Sequence, residues 1–159
     1  MNVEGHTYVL QPDPPCNQGF VSTLSSERSG SWNMSGMISK PRHRYVIVSP
    51  VRDEQQYLPL TIQSVVGQTL PPAEWIIVND GSRDRTGEII ENCAHQYPWI
   101  RAVHRTDRGS RVPGTGVIEA FYDGFRSLQS KDWDFIVKLD GDVGLEPDYF
   151  ETCFKRFAE

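Results

Sequence analysis

The sequence predicts an α/β fold: a mostly parallel, Rossmann-like sheet with helices on both faces. Three observations carry this. Four short runs rich in β-branched residues, RYVIVSP, EWIIVND, IRAVHR and DFIVKLD, read as buried strands. Segments with apolar residues at helical spacing separate them. The runs end in clusters of polar residues, at Ser49 to Glu54, Asn79-Asp80 and Asp140 to Asp142, and the segment Arg105 to Gly116 follows another. Strands that alternate with helices pair in parallel. In such open sheets ligands bind beyond the carboxyl ends of the strands, so these clusters forecast one site on one edge.

Residues 1–43 hold QPDPP, STLSSERSGS and SGMISKPRHR, with isolated apolar residues and no sustained period. This composition reads as a disordered or flexible leader, and the domain proper as residues 44–159. The first strand begins at Arg44. A helix follows with Leu58, Ile62, Val65 and Val66 on one face, Pro59 in its first turn, and Pro71-Pro72 beyond its exit. After EWIIVND, either Asp84 or Thr86 caps a second helix carrying Ile89, Ile90 and Cys93, which Pro98 stops. IRAVHR leads into the glycine-rich loop DRGSRVPGTG and a third helix, VIEAFYDGFRSLQ. DFIVKLD is the fourth strand, and EPDYFETCFKRFAE starts a last helix.

The 159 residues suit one domain, and a net charge of −5 argues against a polyanion such as nucleic acid as partner. Three scattered cysteines, Cys16, Cys93 and Cys153, form no C-x-x-C pair, which favours unpaired thiols in a reducing compartment. No apolar run approaches the roughly 18 residues that span a bilayer. The expectation is a cytoplasmic chain with no transmembrane segment, membrane-peripheral attachment being compatible with it. None of the four histidines has metal-ligand spacing.

Each polar cluster has a plain reading beside a chemical one. Arg52, Asp53 and Glu54 suit hydrogen bonding to a ribose or base, or an acidic helix start. Asp80 suits acceptance of a base N–H, or an ordinary turn. Arg108, Arg111 and the glycines suit a phosphate, although the loop matches neither the dinucleotide fingerprint nor the P-loop. Asp140 and Asp142 flank Gly141, and two hard oxygen donors with substrate phosphates and water suit Mg²⁺ or Mn²⁺. A calcium loop of the EF-hand type fits poorly, because Leu145 stands where that loop requires glycine. A proton-sharing dyad lacks a partner nucleophile.

Taken together, these segments resemble glycosyltransferase family 2, inverting enzymes of the GT-A fold. The family pattern P-x-x-N-E, helix, S-x-x-x-Q-T is matched from Pro50 to Thr69 as PVRDEQQYLPLTIQSVVGQT. The pattern D-D/N-G-S-x-D-x-T appears as NDGSRDRT, and D-x-D as D-G-D. The resemblance implies that Pro50, Val51, Arg52 and Glu54 contact the nucleoside and that Asp80 reads the base, usually uracil. It implies further that Arg111 contributes to substrate binding, that Asp140 and Gly141 contact the donor, and that Asp140 and Asp142 hold Mn²⁺ or Mg²⁺ on the diphosphate. The implied partners are a nucleotide-diphosphate sugar, with a UDP-sugar favoured, and a glycan, lipid or small-molecule acceptor.

Departures from the family pattern are Asp53 for the usual Asn, Arg52 where an aromatic is common, and the VPGTGVIEAFYDG loop. The family's acceptor half, which supplies the catalytic base, finds no match, so the chain reads as the donor-binding part, truncated after D-x-D. A non-catalytic nucleotide-binding module and a nucleotidyltransferase are the alternatives, the latter disfavoured by S-P-V-R-D-E in place of a basic glycine-rich first loop.

Overall fold

The computed structural model describes residues 8–10, 43–107 and 115–157. In chain order the elements are β1 (Tyr8–Leu10), β2 (Tyr45–Val51), α1 (Leu58–Val66), β3 (Glu74–Asp80), α2 (Thr86–Gln96), β4 (Ile100–Arg105), α3 (Thr115–Ser127), β5 (Phe135–Lys138) and α4 (Tyr149–Phe157). They build a five-stranded sheet in the order β1-β5-β2-β3-β4. Strands β2 to β5 pair in parallel, as the alternation of strands and helices requires.

Within the segment read as a leader, Tyr8–Leu10 forms a short strand. This segment pairs antiparallel with β5, Tyr8 opposite Lys138 and Leu10 opposite Ile136. Three residues are too few to show a period, but they are aromatic, β-branched and aliphatic, and they satisfy the otherwise unpaired edge of β5. Leu24, Trp32, Met34 and Cys16 lie outside the described residues.

The two sheet faces carry separate cores. Tyr45, Ile47, Trp75, Ile77, Phe135 and Val137 alternate onto one face, where they meet Leu58 and Val65 of α1, Ile90 and Cys93 of α2, and Phe150 and Phe154 of α4. Val46, Val48, Ile76, Val78 and Ile136 point the other way, toward Ala120 of α3. Two-sided burial explains why the strand runs are continuously apolar rather than alternating. The buried Trp75 indole donates to Ser49 Oγ at 2.9 Å, so neither polar group is left unpaired.

Glycine lets α3 lie close to the sheet. A Cβ on Gly124 would fall 2.6 Å from Val48 Cγ1 and 2.7 Å from Val78 Cγ2. At the opposite end of the sheet from the polar loops, buried Glu74 accepts from Arg101 Nη1 at 3.0 Å and from the Gln129 and Ser130 amides. Burial alone would raise its pKa, but these donors overcome that and hold it below the usual value.

Two expectations follow. Gly124→Ala destabilises the domain by about 1–3 kcal/mol in urea unfolding, because the helix must move off the sheet. Glu74→Gln costs about 1–3 kcal/mol through mismatched donors. Since the folded carboxyl titrates below its unfolded counterpart, the stability it contributes is complete above the unfolded value near 4.5 and is lost as pH falls through the folded one. Acid titration of the unfolding free energy should show this loss in the wild type and a shallower one in the Gln variant.

Candidate functional site

Strand β2 has β3 on one side and β5 on the other, so the strand order reverses beside it. A parallel sheet offers a crevice at such a reversal, outside the carboxyl ends. The loops after β2, β3, β4 and β5 meet there.

The first loop is held by its backbone. Asp53 adopts a left-handed conformation, φ 56°, which Asn and Asp tolerate better than other side chains. The Asp-for-Asn departure therefore keeps what this turn needs. The Asp53 amide donates to Ser82 Oγ at 3.0 Å, and its carboxylate accepts from the Arg83 amide at 2.8 Å. The Glu54 amide donates to Thr86 Oγ1 at 2.8 Å, and the Gln55 amide to Asp84 Oδ2 at 3.1 Å. Arg85 stands at the N-cap of α2, while Asp84, one residue earlier, takes the Thr86 amide at 2.9 Å. Thr86 itself is the first residue of the helix rather than its cap.

The third loop closes over the second. Gly81 has φ 71°, and a Cβ there would fall 2.5 Å from Asp107 Cα. Asp107 accepts from Arg52 Nη2 at 2.9 Å and from Arg83 Nε at 2.8 Å, joining three loops through one carboxylate. Hydrogen bonding to Asp107 holds the Arg83 guanidinium more firmly protonated. The fourth loop joins through Gly141. Its carbonyl accepts from buried Thr61 Oγ1 at 2.8 Å, and a Cβ there would fall 2.7 Å from Val51 Cγ1 and 3.3 Å from Glu54 Cγ.

The predicted site residues take distinct positions in this frame. Pro50 and Val51 pair with Val78 and Asn79 in the sheet, Val51 being buried beneath Gly141. Arg52 is committed to Asp107, and Glu54 precedes α1, its carbonyl accepting from the Tyr57 and Leu58 amides in the turn that leads into the helix. Asp80 faces α3. It accepts from Arg105 Nη1 at 2.6 Å, and the same guanidinium reaches Glu119 at 3.3 Å and Asp123 at 2.8 Å. Asp140 is paired with Lys138. Asp142 is exposed and carries no hydrogen bond or ion pair among the described residues. Arg111 and Arg108 lie outside the described residues.

Sequence reasoning passed over Lys138, Arg105, Asp107 and Thr61. The Lys138–Asp140 pair was visible as two residues at i and i+2 on one strand edge. The others are paired across 25 to 80 residues of chain and left no local signal. His104, expected on the surface or in the core, is exposed and binds Asn79 and Glu91. Because Asn79 Oδ1 accepts the Ser82 amide, its Nδ2 donates to His104 Nδ1 at 3.1 Å, and His104 Nε2 meets Glu91 at 2.7 Å.

Strands β3 and β5 stand two strand spacings apart, about 10 Å. The arrangement thus places Asp80 after β3 and Asp140 after β5, with the β2 loop between them. Among the described residues no group of three or more His, Cys, Asp or Glu could hold a metal alone. The pair Asp140 and Asp142 still fits Mg²⁺ or Mn²⁺, which bind through one or two carboxylates and take other ligands from phosphates and water.

Comparison with known proteins gives the same reading of the fold. The chain is 27% identical over 117 residues to glycosyltransferase GlyA of Streptococcus pneumoniae, covering 73% of this chain and 15% of that one. S. aureus TarS 1–349, solved in complex with UDP, superposes with a TM-score of 0.57 at 17% identity, covering 72% of this chain and 32% of that one. The mannosyltransferase PcManGT of Pyrobaculum calidifontis, solved with GDP-Man and Mn²⁺, superposes with a TM-score of 0.60 at 20% identity, covering 74% and 33%. The chain therefore spans well under half the length of these proteins. The model of the family described as "Glycosyl transferase family 2" matches residues 46–159, most of the domain, and the chain belongs to that family.

Proposed function

We propose that this chain is the donor-binding part of a glycosyltransferase that moves a sugar from a nucleoside diphosphate to an acceptor hydroxyl. The observation that supports this most is the D-G-D turn, pinned by Thr61 and Val51 beside the β2 loop at the reversal of strand order. A nucleoside diphosphate laid across that crevice puts its base toward Asp80 and its diphosphate toward Asp140 and Asp142.

Asp80 is an acceptor, which suits the ring N–H beside a carbonyl that uracil and guanine share. UDP is bound by TarS, and GDP-Man by PcManGT. A UDP-sugar is our preferred donor. Asp140 and Asp142 would hold Mn²⁺ or Mg²⁺, which when bound offsets charge on the leaving diphosphate. Arg111, in the glycine-rich stretch of sequence that follows β4, would supply a cationic side chain for the donor.

In the inverting reaction, the acceptor hydroxyl attacks the anomeric carbon from the face opposite the diphosphate. The glycosyl–oxygen bond to the diphosphate breaks as the new one forms. A general base takes the hydroxyl proton. That base belongs to an acceptor-binding half beyond the residues matched here, as the partial coverage of the relatives supports. The acceptor is a glycan, a lipid or a small hydroxylated molecule. Free Cys93, buried so that its thiol is pushed up to about 11, and free Cys153 fit a reducing, cytoplasmic setting. Among the described residues no helix is long and apolar enough to cross a membrane.

Calorimetric titration of UDP tests the reading. Binding is expected with Mn²⁺ and to weaken at least about tenfold without it or in Asp140→Asn/Asp142→Asn, a loss of about 1.4 kcal/mol or more. Absence of binding under every condition would remove the donor site. Asp80→Asn should weaken UDP by about tenfold through the lost charged hydrogen bond, while leaving Mn²⁺–pyrophosphate unchanged. An equal loss for pyrophosphate would place Asp80 at the phosphates instead.

A further inference from the structure

The two aspartates of the D-G-D turn are not equivalent. Lys138 is the last residue of β5, opposite Val48 of β2 and Tyr8 of β1. Its Nζ donates to Asp140 Oδ1, and both side chains are partly sheltered, at 19% and 29% exposure. Asp142 is exposed and carries no partner among the described residues. One turn therefore presents one carboxylate that already has a cation and one that does not.

This pairing bears on how a metal reaches the turn. With Lys138 in place, the two carboxylates and the ammonium sum to a single negative charge. A divalent ion arriving alone must displace the ammonium or settle on Asp142 by itself. Either course is weak, because two or fewer carboxylate oxygens with water make a poor site. A divalent ion arriving on a diphosphate brings its own anionic ligands and needs little more than Asp142. Partial shelter keeps the ammonium's effect from being screened as fully as that of a surface charge. Glu54, whose Cγ lies beside Gly141 from the loop before α1, adds negative charge nearby and leaves the local balance sensitive to the lysine.

We propose that Lys138 is a positioning residue and internal counter-ion for Asp140, which makes metal capture at the D-G-D turn depend on the nucleoside diphosphate. This rests on the donor-site reading above. It has a chemical consequence: the site stays free of metal until the donor arrives, and metal and diphosphate leave as one complex after transfer.

Manganese binding followed by the loss of the free-ion electron paramagnetic resonance signal tests it, with no turnover required. The wild type should bind Mn²⁺ weakly alone and at least about tenfold more tightly with UDP present. Lys138→Met should raise nucleotide-free Mn²⁺ affinity about tenfold and so shrink the effect of UDP. Lys138→Gln, which keeps chain length and a donor without the charge, should do the same and serves where the Met variant does not fold by circular dichroism. Lys138→Arg, which keeps the charge, should behave as wild type. Unchanged nucleotide-free affinity in Met and Gln variants, with UDP-dependent Mn²⁺ binding intact, overturns the assignment of Lys138 alone. An Arg variant that behaves like Met also overturns it, since the effect would then be one of shape. A wild type that binds no Mn²⁺ with UDP overturns the donor site itself.

Discussion

The site depends on one constraint: β2 is hydrogen-bonded on both edges by parallel strands that reach it from opposite sides. The chain steps outward from β2 to β3 to β4 and then crosses back past β2 to lay down β5. Parallel crossovers are right-handed. Steps in one direction therefore put α1 and α2 on one face, and the reversed step puts α3 on the other, which is where the two cores lie. The same reversal parts the connections on either side of β2, the place where open parallel sheets offer a crevice. Topology and handedness thus set where a ligand would be sought before any polar residue is considered.

Given that frame, the loops are fixed more by backbone hydrogen bonds than by charge. Surface ion pairs such as Arg83 with Asp107 are worth little singly. The Asp53, Glu54 and Gln55 amides each find a side-chain oxygen on the second loop or at the start of α2, which ties the first loop to the second. Close approach does the rest. Gly81 under Asp107 and Gly141 over Val51 are positions where a side chain would push two loops apart. Asp107 then adds a shared anchor for Arg52 and Arg83, where one carboxylate orders two guanidinium groups.

Strands β2 to β5, one helix's start, the stop signals of two helices and the gathering of polar loops at one edge were legible in the sequence because they rest on local pattern. Two-sided burial writes itself as an apolar run, and Pro59, Pro71 and Pro98 punctuate the helices. Strand β1 was not legible, since three residues without a turn beside them carry no period. Nor were the partners of the site residues. Arg52 looked available for a nucleoside, yet it meets Asp107, 55 residues on. Asp80 looked like an isolated carboxylate, yet it shares Arg105 with Glu119 and Asp123. Pattern shows where polar groups gather, and tertiary pairing decides which of them remain open.

That distinction resolves a tension in the charge. The chain carries −5 overall and places acidic residues at the edge proposed to receive an anionic diphosphate. Left bare, Asp80, Asp140 and Asp142 would repel such a ligand. Two of the three are paired with cations, Asp140 with Lys138 and Asp80 with Arg105, which also serves Glu119 and Asp123. Only the charge on Asp142 is left for an incoming cation among these three. Such pairing keeps these carboxylates as oriented hydrogen-bond acceptors while offsetting part of their field. On the proposed donor-site reading, the remaining negative charge makes a divalent ion useful to the diphosphate complex and of little use to the protein alone.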